Sequence, residues 1–230
     1  MTSNAPVPMP TGDAEFDDAH RNDAAEPAEG GPGRKRPKPG ERRVQILQAL
    51  AAMLEQPGAE RITTAALAAR LDVSEAALYR HFASKAQMFE GLIEFIEQSV
   101  FGLINQLGDR EPDPLLRSRR LVTLLLQFGE KNPGMARVMV GDALVFENER
   151  LQQRMNLFFD KIEAALRHNL REAAVLVGTS TPTVDAQADA SVITAFCAGR
   201  LQRFARSGFK RVPTESLEHS LCLLLPAGRL

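Results

Sequence analysis

Apolar residues recur at helical spacing along most of the chain after residue 40. A first helix is predicted over residues 41–55, because its apolar positions fall three and four residues apart on one stripe. These positions are Val44, Leu47, Ala51 and Leu54. No segment shows the convincing alternation of a strand or a hairpin, so the pattern predicts an all-α protein.

Two short helices separated by a tight turn are predicted directly after the first helix. Thr63 or Thr64 can cap "AALAARL", and Ser74 can cap the helix after it, since a hydroxyl oxygen accepts a hydrogen bond from a backbone N–H of the first turn. Asp72 lies in the turn, where a positive φ is often required and Asp tolerates it better than most residues. Two short helices behind a longer one are typical of a helix-turn-helix, so residues 41–86 are predicted to form a DNA-binding domain.

The pattern from residue 87 to residue 230 predicts a C-terminal helical bundle. Its helices are expected at 85–107, 115–131, 133–147 with a bend near Gly141, 149–174, 185–206 and 213–225. Asn132 is expected to cap the third of these, with Pro133 at a first helical position where an N–H is not needed. In the helix predicted at 149–174, apolar residues recur at steps of three and four, which suits packing on another helix. Residues 148–172 and 185–206 are therefore candidates for a dimer seam.

Two phenylalanines of the predicted helix at 85–107 lie outside its apolar stripe. At 100° per residue, Phe95 and Phe101 fall about 120° to either side of it. One explanation is a long central helix that buries several faces in a bundle. The other is an exposed aromatic side chain that binds a protein partner. The spacing leaves both explanations open.

Charge is distributed unevenly along the chain. Residues 1–33 carry seven acidic residues and one arginine, whereas residues 34–85 carry ten lysines and arginines and five acidic residues. Residues 1–40 are rich in Pro, Gly, Ala and acid, and they are predicted to be a disordered acidic tail that ends in a basic arm. A basic block of this size can meet a polyanion such as nucleic acid, or it can be only a solvated surface.

Composition narrows the class of protein. The chain has 44% hydrophobic and 25% charged residues, and no apolar run approaches the roughly 20 residues that a membrane-spanning helix requires. Its start shows no secretory signal and its two cysteines are too few for a disulfide framework, so a cytoplasmic protein is expected. Its four histidines are scattered, and no phosphate loop, nucleophile motif or metal-ligand spacing is found. The protein is therefore not expected to be an enzyme, and no bound cofactor or metal is expected.

The segment "ITTAALAARLDVSEAALYRHFASKAQMF" resembles the N-terminal DNA-binding module of the TetR family of dimeric bacterial regulators. The resemblance implies a homodimer on palindromic double-stranded DNA, with the second short helix in the major groove. It implies base contacts from Glu75, Ala76 and Ala77, and phosphate contacts from Thr63, Thr64, Tyr79, His81 and Lys85, with Arg80 at a phosphate or a base. Ser74 is also expected among the DNA-binding residues. Thr64 and Ser74 have capping as an alternative role, and Tyr79 has partial burial in the core.

The resemblance continues beyond this module, through "LLLQFGEKNPGMARVMVGDALVFENERLQQRMN" and "AGRLQRFARSGFK". These segments are similar to members of the same family that act in nucleoid occlusion. That similarity implies a nucleoid-associated protein with a second partner, the tubulin-like division protein FtsZ, bound by Phe95, Leu124, Lys131 and Asn132. Leu103 and Gln127 depart from the arginine and glycine expected there. The alternative is the common mode of the family, a transcriptional repressor released by a small ligand.

Overall fold

The computed structural model describes residues 40–56 and 62–225, and the acidic tail predicted upstream of them lies outside the described residues. In the described ranges the helices are α1 (Glu41–Leu54), α2 (Thr64–Arg70), α3 (Glu75–Tyr79), α4 (Lys85–Arg110), α5 (Pro114–Lys131), α6 (Pro133–Met139), α7 (Glu149–Leu176), α8 (Pro182–Arg206) and α9 (Leu217–Leu224), with a short 3-10 turn at Asp142–Leu144. No described residue lies in a strand, so the prediction of an all-α fold is confirmed.

The first three helices form the predicted helix-turn-helix. Thr63 caps α2, because its Oγ1 accepts a hydrogen bond from the Ala66 N–H at 3.1 Å. Ser74 caps α3 in the same way, through the Ala77 N–H at 3.2 Å. Asp72 in the turn has the left-handed φ of 54° that its position indicated. Leu67, Leu78 and Phe82 are buried between these helices and hold α3 against the rest of the module.

The remaining six helices, α4 to α9, form the C-terminal part of the described chain. α7 packs most extensively against α8, and α5 packs against both. α4 runs three residues further than its apolar pattern predicted, and α8 begins at Pro182, three residues earlier than predicted. The start of α8 follows the general preference for proline in the first turn, where its missing N–H leaves no bond unmade.

The predicted bent helix over 133–147 is wrong. α6 ends at Met139, and the chain then passes through Gly141 with a φ of 81° into the 3-10 turn. A positive φ cannot be accommodated inside an α-helix, so the glycine ends the helix instead of bending it. The following segment leads into α7, which Asn148 caps through the Arg150 N–H.

Asn132 has the position expected of it but not the predicted hydrogen bond. It precedes Pro133 at the start of α6, yet its side chain makes no capping bond to that helix. Instead its Nδ2 donates to the carbonyl oxygen of Phe128 in α5, at 2.8 Å. The residue also ends α5, and the Phe128 carbonyl accepts from both the backbone N–H and the buried side chain of Asn132.

Phe95 and Phe101 are both packed inside the bundle. Phe95 is 6% exposed, and Phe101 is half-buried with its ring 5.4 Å from that of Phe158 in α7. The long helix α4 thus buries more than one face, which is the first of the two explanations considered for these residues. Phe95 is not the exposed aromatic of the second explanation.

Among the described residues, no helix is long and apolar enough to cross a membrane.

Candidate nucleic-acid interface

The short helix α3 carries most of the predicted DNA-binding residues on its solvent-facing side. Glu75 and Ala76 are exposed in its first turn, and Ala77 is half-buried. Tyr79 is 45% exposed, and Arg80 and His81 follow it on the surface. Because Leu78 and Phe82 point into the core, the side chains that remain outside form one continuous face. That face has small side chains at its start and cationic and aromatic ones at its end.

The two threonines at the start of α2 have different hydrogen bonds. Thr63 is the cap, whereas Thr64 Oγ1 donates to Glu75 Oε2 at 2.6 Å. Thr64 and Glu75 are eleven residues apart in sequence and lie at the starts of α2 and α3. The sequence indicated two threonines able to cap, but it gave no signal for this link between the helices.

Arg43 of α1 supports the end of α3, a contact that the sequence analysis missed. Its Nη1 donates to the carbonyl oxygen of His81 at 2.8 Å, and its guanidinium lies 4.1 Å from the centre of the Phe82 ring. The bond satisfies a carbonyl that the short helix leaves free, and the cation–π contact adds about 0.5–1 kcal/mol at an exposed site. Arg43 therefore fixes where the segment of Tyr79 to His81 points.

Lys85 connects the DNA-binding module to the C-terminal helices. Its Nζ forms an ion pair with Glu147, which lies in the segment between the 3-10 turn and α7. The Glu147 side chain is only 11% exposed, so the pair is partly shielded from water. Lys85 also lies 5.7 Å from the centre of the Phe89 ring. A phosphate contact by Lys85 therefore has to share or break an existing ion pair.

A second contact joins the module to the same part of the chain, between α1 and α6. Gly134 in α6 lies against the backbone of Ala51 so closely that a Cβ there would be 2.1 Å from the Ala51 carbonyl oxygen. The Gly134 N–H donates to the carboxyl of Glu55, at the end of α1. Partial burial raises the pKa of Glu55, and this hydrogen bond and the nearby Arg70 oppose the shift.

The residues predicted to bind FtsZ do not all lie on the surface. Lys131 is exposed at the end of α5 and Leu124 is half-buried on the same helix, whereas Phe95 and Asn132 are buried. Leu124 and Lys131 are seven residues apart, which puts them on one face of α5 about two turns from each other. Gln127, one of the two departures, is exposed between them.

The outer sides of α7 and α8 carry apolar residues in contact with solvent. Leu157 of α7 is 56% exposed, and Val192 of α8 is 57% exposed. Both helices belong to the predicted dimer seam. Large apolar side chains exposed on two packed helices are consistent with a surface that another protein covers.

The described residues contain no group of histidine, cysteine, aspartate and glutamate side chains that could hold a metal ion. They do contain a half-open cavity of about 430 Å³ between α4, α5 and α7. Arg117, His168 and Asn169 are among its lining residues. Arg117 pairs with Glu172, and its Nε is buried without a hydrogen-bond partner among the described residues.

Comparison with known proteins agrees with this geometry. Residues 46–92 match the family described as bacterial regulatory proteins, tetR family, and residues 112–227 match the SlmA-like form of the family described as tetracyclin repressor-like, C-terminal domain. The fatty acid degradation regulator FadR from Bacillus halodurans aligns with a TM-score of 0.66 over 83% of this chain and 97% of its own, at 17% identity, which shows the fold alone. Fold and module together define the class: a bacterial regulatory protein of TetR type, not an enzyme.

Two curated relatives specify the branch of that class. The nucleoid occlusion factor SlmA of Vibrio vulnificus (strain YJ016) is 53% identical over 188 residues, covering 81% of this chain and 95% of its own. The nucleoid occlusion factor SlmA of Photobacterium profundum is 52% identical over 184 residues, covering 80% of this chain and 93% of its own. The chain belongs to the SlmA family of nucleoid occlusion factors.

Proposed function

We propose that this protein acts in nucleoid occlusion, as a homodimer that binds palindromic sites in chromosomal DNA and FtsZ. Bound to the nucleoid, the dimer prevents assembly of the division ring over unsegregated DNA. The observation that carries the proposal is the exposed face of α3, with Glu75 and Ala76 at its start and Tyr79 and Arg80 at its end, in a chain of the SlmA family.

In the proposed complex, α3 enters the major groove with its first turn against the base edges. Ala76 and Ala77 allow close approach of the backbone and contact thymine methyl groups, and Glu75 accepts from a base amino group. Tyr79, His81 and Lys85 hold phosphates, together with Thr63 at the start of α2, and Arg80 binds a phosphate or a base. Phosphate contacts fix the register of the module, and base contacts supply the sequence preference.

A dimer is proposed because one short recognition helix covers too little DNA for strong specificity. Two-fold symmetry places a second α3 on an equivalent half-site, so a palindromic site matches the protein. The exposed apolar residues Leu157 and Val192 support α7 and α8 as the seam.

The proposed FtsZ surface is centred on α5, where Leu124 and Lys131 share one face. Phe95 and Asn132 are both buried, so their role is to support the accessible residues of this surface and not to contact the partner directly. Gln127 lies between Leu124 and Lys131 on that face, and Leu103 of α4 is 39% exposed in place of the arginine expected there.

The DNA part of the proposal is tested with a duplex selected from a random pool, followed by fluorescence anisotropy of variants. Tyr79→Phe and Lys85→Ala are expected to weaken binding to every duplex by a similar factor, because phosphates carry no base information. Lys210→Ala removes an exposed lysine beyond α8 and serves as the control with unchanged affinity. Weakening that is confined to one sequence contradicts the phosphate assignment.

The FtsZ part is tested by light scattering of FtsZ polymers in the presence of the DNA-bound protein. The wild type is expected to reduce the scattering signal, whereas Lys131→Ala loses that effect while its DNA affinity stays unchanged. Lys210→Ala again serves as the control. If polymers form unchanged at saturating DNA-bound wild type, the division-inhibitor proposal is overturned.

A ligand-responsive repressor is the second candidate function. The observation that favours it is the cavity beside Arg117, whose buried Nε–H is available to an acceptor atom. This candidate predicts an unchanged FtsZ signal and a small molecule that releases the protein from its duplex. The two candidates are therefore separated by the same pair of assays.

A further inference from the structure

The hydroxyl of Thr64 has one proton, and the structure shows where that proton goes. Thr64 Oγ1 donates to Glu75 Oε2 at 2.6 Å, while capping of α2 is already performed by Thr63. A DNA phosphate at neutral pH offers only acceptor oxygens, so a hydroxyl binds it by donating. Thr64 can therefore bond to Glu75 or to a phosphate, but not to both at once. The observed bond argues against the phosphate role expected for Thr64.

The partner of this bond is the one acidic residue on the exposed face of α3. A carboxylate at the start of a recognition helix is repelled by the phosphates of both strands. It therefore favours DNA binding only where it accepts a hydrogen bond from a donor group of a base. The bond from Thr64 occupies Oε2 and leaves Oε1 free to accept. It also restricts a flexible side chain that would otherwise lose rotamer freedom on binding.

The chemistry of the free oxygen selects one kind of base. In the major groove cytosine presents an amino donor, and adenine presents an amino donor beside the N7 acceptor, which repels a carboxylate. Guanine and thymine present acceptors on the edge that Glu75 would meet. Cytosine is therefore the base that fits.

We infer that Thr64 is a positioning residue for base readout: it holds Glu75 so that Oε1 accepts from the amino group of a cytosine in each half-site. This inference rests on the proposed DNA-binding function and deepens it. Thr64 thereby controls which sequence is bound more than how tightly DNA in general is bound.

The test measures a preference between bases instead of a single affinity. In the selected palindromic duplex, each C·G pair of the half-site is replaced in turn by T·A, symmetrically in both half-sites. Binding of full-length protein is followed by fluorescence anisotropy. The wild type is expected to lose about tenfold or more in affinity at one of these positions, the size of one good base contact. Affinity changes at the other C·G pairs report base contacts made by residues other than Glu75.

Variants at the two positions then separate positioning from phosphate binding. Thr64→Val keeps the branched shape without the donor and is expected to reduce the cytosine preference at that position to about threefold or less. Thr64→Ser keeps the donor and is expected to retain the preference. Glu75→Gln is expected to lose it, and Thr64→Val adds no further loss in the Glu75→Gln background, because the two residues act as one unit.

Each outcome decides a different point. Uniform weakening of all duplexes by Thr64→Val, with the preference unchanged, overturns the positioning role and restores the phosphate role. A wild type that binds a selected duplex with no cytosine dependence overturns the inference and leaves the proposed function standing. A wild type that binds no duplex better than a random one overturns the proposed function itself. Thermal unfolding of each variant confirms that loss of preference is not loss of fold.

Discussion

Gly134→Ala tests the contact between α1 and α6, where two backbones meet with no side chain between them. A Cβ on residue 134 would lie 2.1 Å from the carbonyl oxygen of Ala51 and 3.0 Å from its carbonyl carbon. Both atoms belong to the main chain of a helix, so neither can turn aside as a side chain would. The helices must move apart by about 1 Å to restore ordinary van der Waals contact.

The expected cost follows from this geometry. Forcing an extra carbon into a packed contact costs about 1–3 kcal/mol, and a weaker Gly134–Glu55 hydrogen bond adds to that loss. Alanine is favoured over glycine by up to about 1 kcal/mol inside a helix, but residue 134 is only the second residue of α6, where the gain is smaller. The variant is therefore expected to be less stable by about 1–3 kcal/mol.

Urea denaturation followed by far-ultraviolet circular dichroism measures this change. The control is Gly102→Ala in α4, where an added Cβ meets nothing within 4 Å. Gly102→Ala is expected to gain about 0.5–1 kcal/mol from helix propensity alone. If Gly134→Ala unfolds at the same urea concentration as the wild type or at a higher one, the reasoning about the α1–α6 contact is refuted.

Three further predictions concern the interface, the seam and the cysteines. Glu147→Gln removes the ion partner of Lys85, so DNA affinity at low salt is expected to rise by up to about fivefold; a lower affinity in anisotropy titrations would show that Glu147 orients the lysine instead. Leu157→Glu or Val192→Glu is expected to shift the protein from dimer to monomer in light scattering coupled to size exclusion, whereas Val145→Glu, also at an exposed valine, leaves the dimer intact. Cys222 is exposed, but burial raises the pKa of Cys197 to about 12. One thiol per chain is thus expected to react rapidly with a thiol reagent at pH 8, and two fast thiols in the native protein would contradict the burial of Cys197.

The starts of α3 and α7 could be predicted from the sequence because their signals are local. Ser74 and Asn148 precede their helices by one residue, and each caps its helix through a hydrogen bond to a nearby backbone N–H. The end of α6 was missed because a glycine inside an apolar run is compatible with a bend, and only the φ of Gly141 distinguishes the two. The apolar pattern continues on both sides of Gly141, so the pattern alone could not show that the helix ends there.

The sequence indicated which positions of α3 face outward, but not the contacts that the surrounding residues make. The exposed positions of α3 follow from the spacing of Leu78 and Phe82 in the core. The pairs Arg43–His81 and Lys85–Glu147 join residues 38 and 62 positions apart. Nothing in the periodicity of one helix indicates which residue of a distant segment meets it. These contacts depend on how the helices pack, and they decide which cation is free and which is already paired.

Two of the contacts that the sequence did not indicate involve one segment, residues 133–147. Lys85 pairs with Glu147 at the end of the segment 133–147, and Ala51 meets Gly134 at its start. Lys85 and Ala51 both adjoin α3 through α4 and α1, so a reorientation of α1 to α3 relative to the C-terminal helices would change both contacts together. The same segment begins two residues after Lys131, which belongs to the proposed FtsZ surface. Coupling between two binding sites is reciprocal, so if DNA and FtsZ both favour the state in which the Lys85–Glu147 pair is changed, Glu147→Gln is expected to alter the dependence of FtsZ binding on DNA as well as DNA affinity itself.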